Sequence, residues 1–296
     1  MTMVSKSLHA LLHTIVDYAG LFPPASLSME SAVANYAAYR RDPHAWMLGR
    51  FIVPVSRLDE MTHAAQAAWK NSHPWRLSAL VGEDLEGDVA RIVAHNNAGR
   101  GAIVDAVEVK ATTADAIAQI NTAIPKEIKT YVEIPVNDDP RELIAAIAAC
   151  RLRAKIRTGG VVPEAFPPVD HVARFIRECY TVGTGFKATA GLHHPLRSAR
   201  ALTYQENSPR GTMHGFLNVF LTAVFQYNGL TRADAITIMS AETLSGVAFG
   251  DDAVTWKDYS VTLGEIATVR RRFAVAFGSC SFREPVDDLI QLGLLT

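Results

Sequence analysis

The chain is predicted to be an α/β protein, a (β/α)8 TIM barrel with a helical insertion after the seventh strand. Three observations carry this. Eight short runs rich in branched or aromatic residues recur along the 296 residues. Stretches of 3.6-residue periodicity fall between them, and strict βα alternation over eight strands is the pattern of a closed barrel. Two late runs, Ala154-Lys155-Ile156-Arg157-Thr158-Gly159-Gly160 and Gly185-Phe186-Lys187-Ala188-Thr189-Ala190-Gly191, carry a lysine and break into glycine. The rival, an open doubly wound sheet, has no GxGxxG or Walker loop to mark it as a nucleotide fold.

The strands are expected at residues 13–17, 50–56, 75–81, 103–110, 129–136, 153–157, 185–189 and 273–278. Helices are expected at 29–41, 58–70, 84–98, 114–122, 140–150 and 169–180. Asp139-Pro140 ahead of Glu142 supplies an N-cap, a proline for the first helical position and an acid for the first turn. Residues 192–272 break the rhythm and form the insertion. Within it, 212–227 reads as a helix whose stripe of Met213, Phe216, Leu217, Phe220, Val224 and Phe225 suits a core or a subunit interface. A second helix starts at Thr231, where Thr-Arg-Ala-Asp makes a capping-box variant with Asp234, and a third covers 260–271. Following the seventh strand, the insertion begins on the catalytic face, as a lid or a subunit contact. With no repeat, low-complexity stretch or linker, residues 1–296 are read as one domain.

Composition narrows the class. With 49% hydrophobic and 20% charged residues the chain is ordinary globular protein with a sizeable core. A net charge of −1 gives no electrostatic case for nucleic acid or an anionic membrane, and Arg270-Arg271-Arg272 reads as a solvated helix end. Three cysteines, without CxxC or metal-ligand spacing, suit a reducing cytosol. Residues 1–13 lack a charged-then-apolar leader pattern, and no apolar run is long enough for a span, so the expected location is cytoplasmic.

The candidate site follows from strand alternation, because residues two apart share a face. If Lys155 points inward, so does Arg157; Glu108 in Val107-Glu108-Val109, Glu133 in Tyr131-Val132-Glu133-Ile134 and Asp17 after Ile15-Val16 join them. The predicted interior holds Asp17, Glu108, Glu133, Lys155, Arg157 and Lys187. Close cations lower each other's pKa, and a neutral amine attacks a carbonyl. That points to a Schiff-base enzyme.

These motifs resemble deoxyribose-phosphate aldolase, a class I aldolase family. Lys155-x-x-Thr158-Gly159 followed by Gly185-Phe186-Lys187 matches its sixth- and seventh-strand lysines. Val107-Glu108-Val109 matches its fourth-strand acid, with Glu in place of Asp. Val16-Asp17-Tyr18-Ala19-Gly20-Leu21 and Phe277-Gly278-Ser279-Cys280-Ser281 match its first and last strands. The resemblance implies a lyase on a (β/α)8 barrel, in carbohydrate metabolism, with Lys155 as the imine-forming residue and Lys187 beside it. In place of the family's Gly-Gly phosphate nest stands Ala190-Gly191-Leu192-His193-His194-Pro195. What it implies is therefore fold and lysine chemistry rather than a phosphorylated deoxysugar.

The expected mechanism needs no cofactor. Lys155, its pKa lowered by Lys187 and Arg157, attacks a small carbonyl substrate, and the iminium acts as electron sink for C–C cleavage or formation. Glu108 and Lys187 shuttle protons and Asp17 orients a hydroxyl or a lysine. Arg157, Glu133, Thr158, Gly159, Gly160, His193, His194, Gly278 and Ser279 are expected to bind substrate, through the arginine fork and backbone N–H groups. The competing expectation is a metal-dependent hydrolase or lyase whose ligands are His193, His194 and His214 with Glu108 or Glu133. The prolines of Leu21-Phe22-Pro23-Pro24-Ala25 suggest a stiff loop at the pocket mouth, and Cys280 lies beside the expected pocket. The partner expected is a small molecule, with homo-oligomerisation suggested by the apolar helix.

Overall fold

Eight parallel strands close on themselves. The computed structural model describes residues 4–69 and 73–296. Residues 1–3, which begin the leader reading, and Lys70, the predicted end of the second helix, lie outside the described residues. The barrel strands are β1 (Val16–Tyr18), β2 (Leu48–Pro54), β3 (Trp75–Leu80), β4 (Ala102–Lys110), β5 (Lys129–Glu133), β6 (Arg153–Arg157), β7 (Phe186–Thr189) and, after an insertion, β13 (Ala274–Ser279). Their order around the barrel is β1-β13-β7-β6-β5-β4-β3-β2, and all eight pairings are parallel. This is the (β/α)8 TIM barrel that the alternation predicts.

Helices α2 (Met29–Tyr39), α3 (Leu58–Ala65), α4 (Leu85–Asn97), α5 (Ala114–Ala123), α6 (Arg141–Ala149) and α7 (Val169–Thr181) follow the first six strands. Caps start three of them: Ser28, Asp84 and Thr113 accept the backbone N–H groups of Ser31, Gly87 and Ala116. Departures at the boundaries have local causes. The first strand starts three residues later than expected because His13 ends α1 (Lys6–Leu12) and Thr14 sits at φ 50, which no strand tolerates. The fifth ends at Glu133 because Pro135 lacks the donor to continue the ladder. The short α1 and the closing α11 (Arg283–Gln291) were not expected.

The insertion is mixed rather than purely helical. A hairpin of β8 (Ser198–Ala201) and β9 (Arg210–Met213) opens it, and a three-stranded antiparallel sheet of β10 (Ala248–Phe249), β11 (Ala253–Trp256) and β12 (Tyr259–Thr262) comes later. Between them lie α8 (Phe216–Gln226) and α9 (Arg232–Ser240); α10 (Leu263–Arg272) closes the insertion. Met213 belongs to β9, so α8 starts after Gly215, four residues later than the periodicity suggests. Thr231 caps α9 as expected, and Thr262 with Glu265 makes a complete capping box for α10.

Two sequence readings are corrected here. Every residue of α8 is buried within this one chain, with Phe216 stacked on Phe277 of β13 at 5.1 Å. The stripe is core, so it no longer argues for a subunit interface. Arg270 is not solvated but buried. Its guanidinium donates to the carbonyls of Leu11, His13 and Val275 and lies over the Phe220 ring. Burial without a carboxylate partner drops its pKa to about 9. Arg50 and Arg76, early in β2 and β3, both clasp Asp105 of β4, at 2.6 and 2.5 Å. Among the described residues, no helix is long and apolar enough to cross a membrane.

The loops after β6 and β7 meet backbone to backbone. A Cβ on Gly159 would lie 2.4 Å from the Phe166 ring and 2.9 Å from the Gly191 Cα. Gly191 itself has φ +72. Gly159→Ala is therefore expected to cost about 1–3 kcal/mol, because the obstacle includes main chain that cannot step aside. Urea unfolding measures it; a loss within experimental error would show that the two loops can part freely.

Candidate active site

Register brings the charges together. β5 places Glu133 beside Lys155, and β6 places Lys155 beside Lys187 on β7. Glu108 from β4 and Asp17 from β1 complete the group. Asp17 and Lys187 are each 1% exposed, Glu108 3% and Lys155 4%. Charges this deep are tolerable only if paired.

They are paired in a chain of alternating sign. Lys155 Nζ lies 2.7 Å from Glu133 Oε2 and 2.7 Å from Glu108 Oε2. Lys187 Nζ lies 2.5 Å from Glu108 Oε1 and 2.6 Å from Asp17 Oδ2. Ser78 Oγ donates to Glu108 Oε1 at 2.7 Å, and Asp17 Oδ1 accepts the Arg50 N–H at 2.6 Å. At the outer end Arg157 Nε reaches Glu133 Oε1 at 3.2 Å. Arg157 is half exposed, so it belongs to the rim and not to the predicted interior. Its position at the strand end explains this: the chain there has run out of neighbours to cover it.

The arrangement overturns one electrostatic expectation. The cations do not face each other bare. Glu108 stands between the two lysines and Glu133 between Lys155 and Arg157. Burial alone would push the Lys187 ammonium down, but Asp17 and Glu108 outweigh it and hold the pKa above the ordinary lysine value. Burial likewise pushes Glu108 up, and the Lys155 and Lys187 ammoniums overcome that and hold it well below the carboxylate range. Glu133 is lowered in the same way, burial being outweighed by Lys155 and then Arg157.

A cleft of about 240 Å³ opens over this chain at the carboxyl ends of the strands. Lys155, Glu108, Arg157, Gly160, His193 and Gly278 line it. Phe22 and Pro23 form part of its wall, where the proline-rich loop was expected. The volume is below the ~300–1,000 Å³ usual for drug-sized ligands, so only a small molecule fits. Lys155 is reachable from the cleft; Lys187 lies behind it, and Glu133 opens instead into a neighbouring recess with Lys110 and Arg157.

Several expected ligands do not reach the cleft. Thr158 is fully buried, and its hydroxyl donates to the Ala190 carbonyl at 2.7 Å. Gly159 is taken up by the loop contact with Phe166, and Ser279 is buried with its Oγ accepting the Ser281 N–H. The histidines expected as a metal set have separate partners. His193 Nδ1 lies 2.8 Å from Glu284, His194 Nδ1 2.6 Å from Asp288, and His214 Nε2 2.8 Å from the Pro167 carbonyl. Glu108 and Glu133 are already engaged by ammonium groups. Among the described residues no three His, Cys, Asp or Glu side chains gather as a ligand group. Cys280 lines the cleft, but burial raises its thiol to about 11, which leaves it protonated and weakly nucleophilic at neutral pH.

Sequence reasoning missed Ser78, Glu284 and Tyr204. Ser78 was detectable as the lone hydroxyl within Trp75–Leu80. Tyr204, in the turn of the β8–β9 hairpin, reaches Glu284 Oε2 at 3.1 Å, and no periodicity announces such a contact.

No known protein family, curated protein or solved structure matches this chain.

Proposed function

We propose that this protein is a lyase of the class I aldolase type. Lys155 forms a Schiff base with a small carbonyl compound, sugar- or keto-acid-like, and a C–C bond next to the carbonyl is made or broken. The observation that carries the reading is the placing of Lys155: it lines the cleft, and its Nζ lies 2.7 Å from each of two carboxylates. The resemblance to deoxyribose-phosphate aldolase supports the same reading, as does the site's position at the carboxyl end of the barrel.

Attack needs a free lone pair on Lys155 Nζ, and the two carboxylates beside it are the groups that can take a proton from it. Glu133 is the acceptor best placed, since its other partner, Arg157, stands at the half-exposed rim. The amine then adds to the carbonyl carbon, one of its hydrogens passes to the oxygen, and that hydroxyl leaves as water with the proton that Glu133 returns, so that an iminium remains. Its positive charge stays beside Glu108, which Lys187 and Ser78 hold in place. The reaction needs no cofactor. A cytoplasmic setting is supported by three cysteines that are all unpaired.

Borohydride reduction tests this. The protein is incubated with pyruvate, acetaldehyde, glycolaldehyde or dihydroxyacetone, reduced, and analysed by intact and peptide mass spectrometry. One stable adduct is expected, on the peptide containing Lys155. An adduct confined to Lys187, or none with any of the four, would refute the assignment.

A further inference from the structure

We infer that His193 is a catalytic acid–base residue for the Lys155 imine, with Glu284 as the positioning residue that fixes its ring. The inference rests on the imine reading above and adds the group that moves protons at carbon.

His193 lines the same cleft as Lys155 and is 7% exposed. Its Nδ1 is 2.8 Å from Glu284 Oε2. That oxygen also accepts the Tyr204 hydroxyl at 3.1 Å. Burial raises the Glu284 carboxyl, but His193 outweighs it and the net shift is downward. A carboxylate only accepts hydrogen bonds, so Nδ1 must carry the hydrogen. The lone pair of the neutral ring is therefore at Nε2, which has no partner among the described residues. A ring whose one edge is clamped and whose other edge is free is the arrangement a proton-transfer base requires.

The backbone is bent to hold it there. Ala190 at φ 62 and Gly191 at φ 72 are consecutive left-handed residues at the end of β7. Alanine does not adopt this conformation without cost, and such strain clusters at functional sites. The turn buries Leu192 and brings His193 to the cleft. The neighbouring His194 makes a similar pair with Asp288; both histidines border a second recess with Arg200 and Arg210, but of the two His193 alone also lines the cleft of Lys155. Simple tethering of the loop to α11 would need only one such pair, and it would not need the ring in the cleft.

The step balances without a further reactant. In the forward direction the C–H bond next to the iminium breaks and its proton goes to Nε2. The bonding pair becomes the enamine C=C, and the iminium pair moves onto nitrogen. The imidazolium returns the proton to carbon in exchange; where the enamine carbon instead adds to a second carbonyl compound, that compound's C=O π bond breaks and its oxygen takes the proton.

Two readouts test this on the full chain. Borohydride trapping with acetone, acetaldehyde and pyruvate reports imine formation. Deuterium exchange into the same compounds, followed by proton NMR, reports transfer at carbon. His193→Gln is expected to trap within about two-fold of the parent while exchange falls on the order of 10²-fold or more. Glu284→Gln, which leaves the ring in place, is expected to lose less exchange and keep trapping. Histidine-selective ¹⁵N NMR of the parent should show His193 as the Nδ1–H tautomer. Exchange at the parental rate in His193→Gln, or an Nε2–H tautomer, overturns the inference alone. If the parent traps nothing, the imine reading falls and this inference with it.

Discussion

Glu108→Gln is expected to lower the unfolding free energy by about 3–5 kcal/mol, the cost of leaving buried charge uncompensated. Among the described residues Glu108 is the only carboxylate shared by both lysines, and Ser78 adds a third donor to it. A glutamine keeps the shape but supplies one acceptor where the site has three donors. Lys187 then retains Asp17 alone, at the centre of the barrel. Urea unfolding of the variant measures the loss. The double variant Glu108→Gln, Lys187→Met removes the stranded ammonium, so its loss should fall short of the sum of the singles by about 1 kcal/mol or more. Strict additivity would mean that the two groups are not coupled. The pH dependence has a definite sign. Glu108 and Glu133 are lowered in the fold, so their stabilisation is complete above the unfolded value near ~4.3 and disappears as pH falls through their native values. Lys187 is raised, so its contribution is complete below ~10.4 and is lost as pH rises through its native value. The penalty of Glu108→Gln should thus be level across neutral pH and shrink in acid. An equal penalty at pH 7 and in strong acid would contradict the ion-pair account.

The barrel was legible because its signal is repeated. Each strand's boundary is uncertain by a residue or three, yet eight of them in alternation with helices leave few topologies. The charged chain was legible residue by residue, since Asp17, Glu108, Glu133, Lys155 and Lys187 stand out against apolar strands. Its pairing was not. Alternation says which face a side chain takes, but not that Glu108 reaches both lysines from across the barrel, and so the electrostatic sign at Lys187 came out reversed. The insertion was legible only where periodicity operates. Thr231 and Thr262 announce helices by capping chemistry, whereas the β8–β9 hairpin has strands of four residues each, too short for a pattern. Tyr204 and Glu284 meet 80 residues apart, and Arg270 is buried through carbonyls that carry no side-chain signature. Thr158 and Ser279 show the opposite error: motif position suggested ligands where their hydroxyls serve the loops.

Lys155→Met separates chemistry from stability more sharply than any other substitution here. Methionine fills the same space without the nitrogen, so imine formation at this position ends. Exchange at carbon should fall on the order of 10⁴–10⁶-fold, the range seen when a covalent nucleophile is removed. The fold should suffer less than in Glu108→Gln, by about 1–3 kcal/mol. The reason lies in what each carboxylate keeps: Glu108 retains Lys187 and Ser78, and Glu133 retains Arg157. Lys187→Met should behave the other way. It strands Asp17, whose remaining hydrogen-bond partner among the described residues is one backbone N–H, and it leaves Lys155 in place. Its stability loss should exceed that of Lys155→Met, while borohydride still traps an adduct. Measuring trapping and urea unfolding on both variants yields four numbers. If Lys155→Met still traps at the parental rate, or if Lys187→Met abolishes trapping in protein that remains folded, the roles assigned to the two lysines are exchanged.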